Sequence, residues 1–260
     1  AEKMIREVFL FKAGFAETDI TPPLGTPIIG WLKKRQAEKL LDPLCARVAV
    51  LETADTALAF VSLDTLSVRW TQVEDIRRRI ETRYGFQGHH ILVAATHNHA
   101  GPAVTTIGDV PREDAYVERV TGQVVDLFGT AWAGRVEAEF GFGTAFEFDV
   151  AHNRRVVMRD GIIKTHGTFK NPDALFLEGP IDPEVALVSI RTPQGQPLGS
   201  ILNFACHPTH FGGDNALSAG YPGAVAREMK KRGWPVTVFL NGASGNLHYS
   251  NPCRPEASLS

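Results

Sequence analysis

Short apolar runs that stop abruptly at polar residues are what most constrains this chain. In ILVAATHNHAGPAV (91–104), five apolar residues have the length and character of a buried strand. Thr96, His97, Asn98 and His99 follow, and Gly101-Pro102 turns the chain away. Side chains alternate along extended backbone, so His97 and His99 are expected to point the same way. SILNFACHPTHF (200–211) repeats the pattern, ending in His207 with Pro208 behind it and His210 three residues on. TVFLNGASGNLHYSNP (237–252) ends in Asn241 and a loop carrying Ser244, Asn246 and His248. Five of the chain's nine histidines sit just past these runs. That concentration is the reason to read them together rather than as separate loop residues.

Helical periodicity fills the gaps between the runs. Val73, Ile76 and Ile80 space a helix over 70–84 with Gly85 as its C-cap. Val117, Val120, Val124, Val125 and Leu127 mark a second helix over 115–132, and AGYPGAVAREMKKRG (219–233) a third. LCARVAVLE and ALAFVSLDTL, joined through residues 53–56, read as a hairpin. Strands alternating with helices, with hairpins mixed in, predict an α/β fold. The expected form is a mixed β-sheet core covered by helices, with the site at the carboxyl ends of the strands. With 260 residues and neither repeat nor low-complexity tract, the chain reads as one domain over 1–260.

Charge narrows the partners. Lys plus Arg number 27 against 29 Asp plus Glu, so nothing electrostatic favours nucleic acid or an anionic membrane. No apolar run reaches the ~20 residues of an integral membrane segment. The start, AEKMIREVFLF, lacks the h-region of a signal peptide, and a signal already removed would leave no trace, so localisation stays open. Three cysteines without CxxC spacing make neither a disulfide framework nor a zinc ribbon.

Two imidazoles on one strand end are placed to hold a metal, or one to hold it and one to move protons, and the histidines past a second run point to a shared metal or catalytic site. Neutral imidazole favours zinc among the common ions. Asp64 also ends an apolar run and reads as a further ligand, a supporting carboxylate or a turn cap. His89 and His90 precede their strand and are excluded, and His166 is expected in a solvated turn. GASG around Ser244 lacks G-x-S-x-G spacing, which disfavours a serine hydrolase, and no phosphate loop is present.

FKAGFAETDITPPLGTPIIGW, DPLCARVAVLE, THNHAGPA, HNRR, GPIDPEVALVSI, NFACHPTHF, LSAGYPGAV and FLNGASGN follow one another in an order that resembles the N-terminal catalytic domain of the neutral/alkaline non-lysosomal ceramidases, closest to their shorter bacterial relatives. The resemblance implies a zinc-dependent amide hydrolase with His97 and His207 as metal ligands. It implies His99 beside the metal working on the reacting groups, and Arg154 as the functional arginine. The family's G-D-x-S-P-N loop maps onto GNLHYSNP with two departures. Asn246 replaces the aspartate and His248 stands at the serine, while Ser250 would fit only with a two-residue insertion. His248 is thereby the candidate acid for the leaving amine. The family adds a glutamate and a tyrosine ligand much later in its chain. The resemblance therefore implies that this chain is part of a longer protein, that a second copy supplies the shell in a homo-oligomer, or that His210, His248 or Asp64 substitutes locally. The last strand, with no helix after it, is expected to lie open on one side.

The expected function is metal-dependent hydrolysis of an amide. No apolar or amphipathic insertion stands out for a two-chain lipid, so a smaller, more polar substrate fits as well as a ceramide-like one. The alternatives are a degenerate member that binds without turnover, favoured by the changes at 246 and 248, and a carbohydrate-active enzyme, whose usual carboxylate pair cannot be picked out.

Overall fold

The computed structural model describes residues 11–31, 34–209 and 214–254. Strands β1 (Lys12–Asp19), β2 (Cys45–Glu52) and β3 (Ala57–Leu63) run antiparallel in sequence order, and β4 (Ile91–Ala95) lies parallel to β3. A short strand, Val136–Glu137, extends the sheet beyond β1. Helices α1 (Trp70–Tyr84) and α2 (Asp114–Ala133) cover one face. The helical spacing in α1 turns Val73, Ile76 and Ile80 inward, and Gly85 caps it at φ 68°, donating its N–H to Glu81. The packing of α2 on β1 is close enough that a Cβ on Gly14 would meet the Ala131 carbonyl at 2.0 Å.

A second sheet holds β5 (Glu139–Phe146), β6 (Glu184–Arg191), β7 (Pro197–Phe204) and β8 (Thr237–Asn241), in that spatial order. Only β7 and β8 are parallel. The period of two shows how the sheets stack. Ala46, Val48, Val50, Ala59 and Val61 face the helices, whereas Phe15, Ala49 and Phe60 meet Val188, Ile201 and Val238 of the second sheet. Leu202, Phe204 and Phe239 point the other way, towards Tyr221 and Val225 of α3 (Gly220–Lys231). The layers are therefore helices, sheet, sheet, helix. A mixed sheet core covered by helices is what the sequence predicts. That it splits in two follows from strands of the second sheet being apolar on both faces.

Two expectations change. The last strand, β8, is not open: the first sheet and α3 cover it, leaving Val238 and Phe239 buried. The cover comes from the preceding helix, not from one that follows. Exposed apolar surface is also present. On edge strand β5, Phe140 and Phe142 are each 67% exposed, with Phe146 and Phe148 stacked beyond them. Phe140, Phe142 and Phe146 share the face of Val188 and Ile190. None of the described helices is long and apolar enough to cross a membrane.

Candidate metal centre

The carboxyl ends of β3, β4, β7 and β8 lie together, laced by polar side chains. Asn241, ending β8, donates through Nδ2 to the Thr96 carbonyl past β4 and to Ser244 Oγ, and its Oδ1 accepts from Cys206 N–H past β7. Thr96 and Asn98 donate their amides to the carbonyls of Leu63 and Thr65 past β3. The buried Asn98 side chain is fully used: Nδ2 donates to the Asp64 and Ser218 carbonyls and Oδ1 accepts from Ala100 N–H. Between these anchors His97 takes φ 66°, the left-handed region that a histidine seldom adopts. The strand stops at Ala95, so His97 and His99 do not converge by extended alternation. A strained turn, held from both sides, brings them together.

Three imidazoles meet there. His97 Nε2 lies 3.2 Å from His207 Nε2 and 3.2 Å from His99 Nε2, and the His99–His207 pair closes the triangle at 3.0 Å. Each ring is fixed from behind. Nδ1 of His97 donates to the Leu66 carbonyl at 2.9 Å, Nδ1 of His99 to Gly30 at 2.8 Å, and Nδ1 of His207 to Ser244 at 3.0 Å. A carbonyl only accepts, so each Nδ1 carries the hydrogen and each neutral ring turns an Nε2 lone pair inward. Three lone pairs facing one another at this distance have no donor among themselves. Tetrahedral zinc with Zn–N bonds of about 2.0–2.1 Å would space its ligand nitrogens about 3.3–3.4 Å apart. The donor set and its spacing fit one divalent ion. Among the described residues, this is where His, Cys, Asp or Glu gather in such a group.

Burial first, then the neighbouring rings, pushes the His99 pKa down to about 4. Burial lowers His207 to about 4 as well, against its bond to the Ser244 carbonyl. Between about pH 6.5 and 4 the unfolded chain binds protons that the folded one refuses, so the metal-free protein loses stability as pH falls through that window. Urea unfolding of metal-stripped protein at pH 7, 6 and 5 should show the midpoint falling steadily. A flat profile would mean that the rings protonate freely in the fold.

Gly30 frames His99. Its φ of 112° is open to glycine, and a Cβ there would sit 2.7 Å from His99 Nδ1. Trp31 Nε1 donates to the His99 carbonyl at 3.2 Å. The pair stands in the IIGW stretch, where the sequence shows an irregular loop but nothing that ties it to His99.

Of the other residues singled out in the sequence, Asp64 is spent elsewhere. Fully buried, it accepts from Arg47 Nη1 and from Cys45 N–H, both at 2.9 Å through Oδ2. It therefore supports the turn beneath His97 rather than joining the histidines. His210 lies outside the described residues. Arg154 donates to the Gly245 carbonyl at 2.7 Å through Nη2 and to His166 Nε2 at 3.2 Å through Nη1, while its buried Nε has no partner. His248 accepts Ser250 N–H on Nδ1 at 3.0 Å, so its neutral ring carries hydrogen on Nε2. Neither residue belongs to the histidine group, but the positive charge of Arg154 is among the influences that lower His99 and His207. His166 is surface-exposed as expected, but it is engaged: its ring meets that of His248 edge-on at 4.8 Å.

The fold is thus a two-sheet α/β arrangement whose strand ends gather three histidines that could hold a metal ion. Comparison with known proteins narrows it. No family model matches the chain. Neutral ceramidase of Pseudomonas aeruginosa is 22% identical over 217 residues, 78% of this chain and 31% of that protein. The crystal structure of neutral ceramidase from Pseudomonas aeruginosa superposes with a TM-score of 0.77 at 20% identity, over 93% of this chain and 40% of that one. A ceramidase complexed with C2 gives 0.77 at 21% identity, over 93% and 39%. The chain is neutral-ceramidase-like in sequence and in fold, as its motif order implies. It spans 31% of the length of the curated relative and about 40% of the solved ones.

Proposed function

We propose that this chain carries the metal centre of a zinc-dependent, ceramidase-like hydrolase of amide bonds, with His97, His99 and His207 as the protein ligands. The observation that carries the reading is the triangle of Nε2 atoms at 3.0–3.2 Å, each ring locked by an Nδ1–H bond to a carbonyl. When bound there, zinc supplies Lewis acidity, acidifying water and polarising a carbonyl. The family resemblance places His99 beside the metal, working on the reacting groups rather than holding the ion. The geometry favours a ligand role instead, because its Nε2 is as close to the other two as they are to each other. Three ligands from one chain also meet the usual protein complement of a catalytic zinc, so no second copy is needed to supply the third.

The remaining residues act on the substrate. Arg154 brings a fixed positive charge, suited to the oxygen on which charge develops as a carbonyl is attacked. His248 offers its Nε2–H to the leaving nitrogen. To give up a full proton it must first gain one on Nδ1, at the expense of the Ser250 bond. The names of the similar proteins support an N-acyl lipid amide as substrate class, with a smaller polar amide as the other possibility. Purified protein should hold close to one zinc per chain by elemental analysis and lose hydrolysis of a short-chain N-acylsphingosine on chelation, regaining it with zinc. Protein that hydrolyses the amide equally well after exhaustive chelation would overturn the metal reading. Protein that binds zinc but hydrolyses neither lipid nor simple amides would favour binding without turnover.

A further inference from the structure

The sequence leaves His166 in a solvated turn and gives it no role, and the resemblance assigns it none. The structure sets it between the two substrate-facing candidates. Its backbone N–H donates to the Arg154 carbonyl at 2.8 Å, and its Nε2 accepts from Arg154 Nη1 at 3.2 Å. The ring also meets that of His248 in a T-shaped contact, with centroids 4.8 Å apart and planes at 89°. His166 itself sits at φ 61°, a left-handed position that histidine adopts rarely and that a supporting structure must maintain.

We infer that His166 is a positioning residue of this site: its Nε2 lone pair orients the Arg154 guanidinium while its ring braces that of His248. The direction of the hydrogen bond carries the inference. A guanidinium has five donors and no acceptor, so Nε2 of His166 must be unprotonated and the ring is held as the Nδ1–H tautomer. Arg154 is then anchored by two neutral acceptors, His166 and the Gly245 carbonyl, and is paired with no carboxylate among the described residues. Its charge stays uncompensated. A carboxylate at position 166 would hold the arginine as well but would neutralise it. A neutral imidazole orients it without doing so. A ring whose only task was to fill space would need neither this tautomer nor an acceptor.

The inference rests on the proposed function only for the consequence in turnover, so the test does not begin there. Long-range 15N–1H correlation spectra of the histidine side chains in the intact chain should show His166 as a pure Nδ1–H tautomer at pH 7. The Arg154→Ala variant should release it to the usual mixture. Arg154 should react with phenylglyoxal severalfold faster in His166→Ala than in wild type. His166→Gln, which keeps an acceptor and meets the same backbone conformation, should stay near the wild-type rate. All variants should keep wild-type zinc content. For hydrolysis of a short-chain N-acylsphingosine, His166→Ala should lower kcat about tenfold or more with KM little changed, and His166→Gln should restore most of it. Equal labelling of Arg154 in wild type and His166→Ala, or glutamine no better than alanine, would overturn the inference. The labelling and tautomer results stand even if the protein proves to bind no metal, which separates this failure from failure of the metal reading.

Discussion

Replacing His99 by alanine should strip the chain of zinc as thoroughly as replacing His97 or His207. With three imidazoles the site has the protein complement of a catalytic zinc, and with two it falls below it. Loss of an outer hydrogen-bonding partner costs about 10–100-fold in metal affinity, and loss of a ligand should exceed that. Each of the three variants should therefore release its metal to a chelator that wild type resists. Each should also forfeit the rise in melting temperature that zinc confers by binding the native state alone. The comparison among the three decides the matter. If His99→Ala retains zinc near the wild-type level while its turnover collapses, the metal rests on His97 and His207. His99 would then be the neighbour beside the metal that works on the reacting groups, as the family resemblance implies. If all three lose zinc together, the triangle seen in the fold is the ligand set.

How much of this was legible beforehand depends on the range of the interactions. The α1 boundary at Gly85 and the apolar spacing inside it are local, and the sequence shows both. The histidines were legible because each follows an apolar run, a signal that survives without knowing what packs against what. The tautomers that make them a donor set were not, since they depend on the carbonyls of Gly30, Leu66 and Ser244, and the nearest of these in sequence is 31 residues away. The left-handed turn at His97 was likewise hidden, because a histidine carries no mark of positive φ as glycine does. His166 failed for the opposite reason. Its neighbours are polar and its stretch is turn-rich, which is what a solvated loop looks like, and only the fold brings Arg154 and His248 to it. The division into two sheets could not be read either, since a strand covered by a sheet and one covered by a helix both present apolar runs.

The second large effect is expected beneath the site, at Arg47. Its guanidinium is 3% exposed and lies between two carboxylates, Glu17 at 2.7 Å and the fully buried Asp64 at 2.9 Å. Asp64 also accepts the Cys45 amide, but its second oxygen has no partner, so its charge depends on Arg47. Burial pushes the Asp64 carboxyl above the usual carboxylate range even with that cation present. Arg47→Met should remove the counter-ion and leave the carboxyl stranded. Breaking a buried pair in this way costs about 3–5 kcal/mol. The damage should reach the histidines, because the carbonyls of Asp64, Thr65 and Leu66 hold Asn98 and His97. The double variant Arg47→Met with Asp64→Leu should recover a large part of the loss, since apolar replacement of a whole buried pair is often close to neutral. Urea unfolding followed by tryptophan fluorescence gives all three free energies. Recovery in the double variant would show that the cost is an uncompensated charge rather than lost packing. A single Arg47→Met change worth under about 1 kcal/mol, the level of an exposed pair, would mean that water reaches Asp64 and that the turn beneath His97 stands without it.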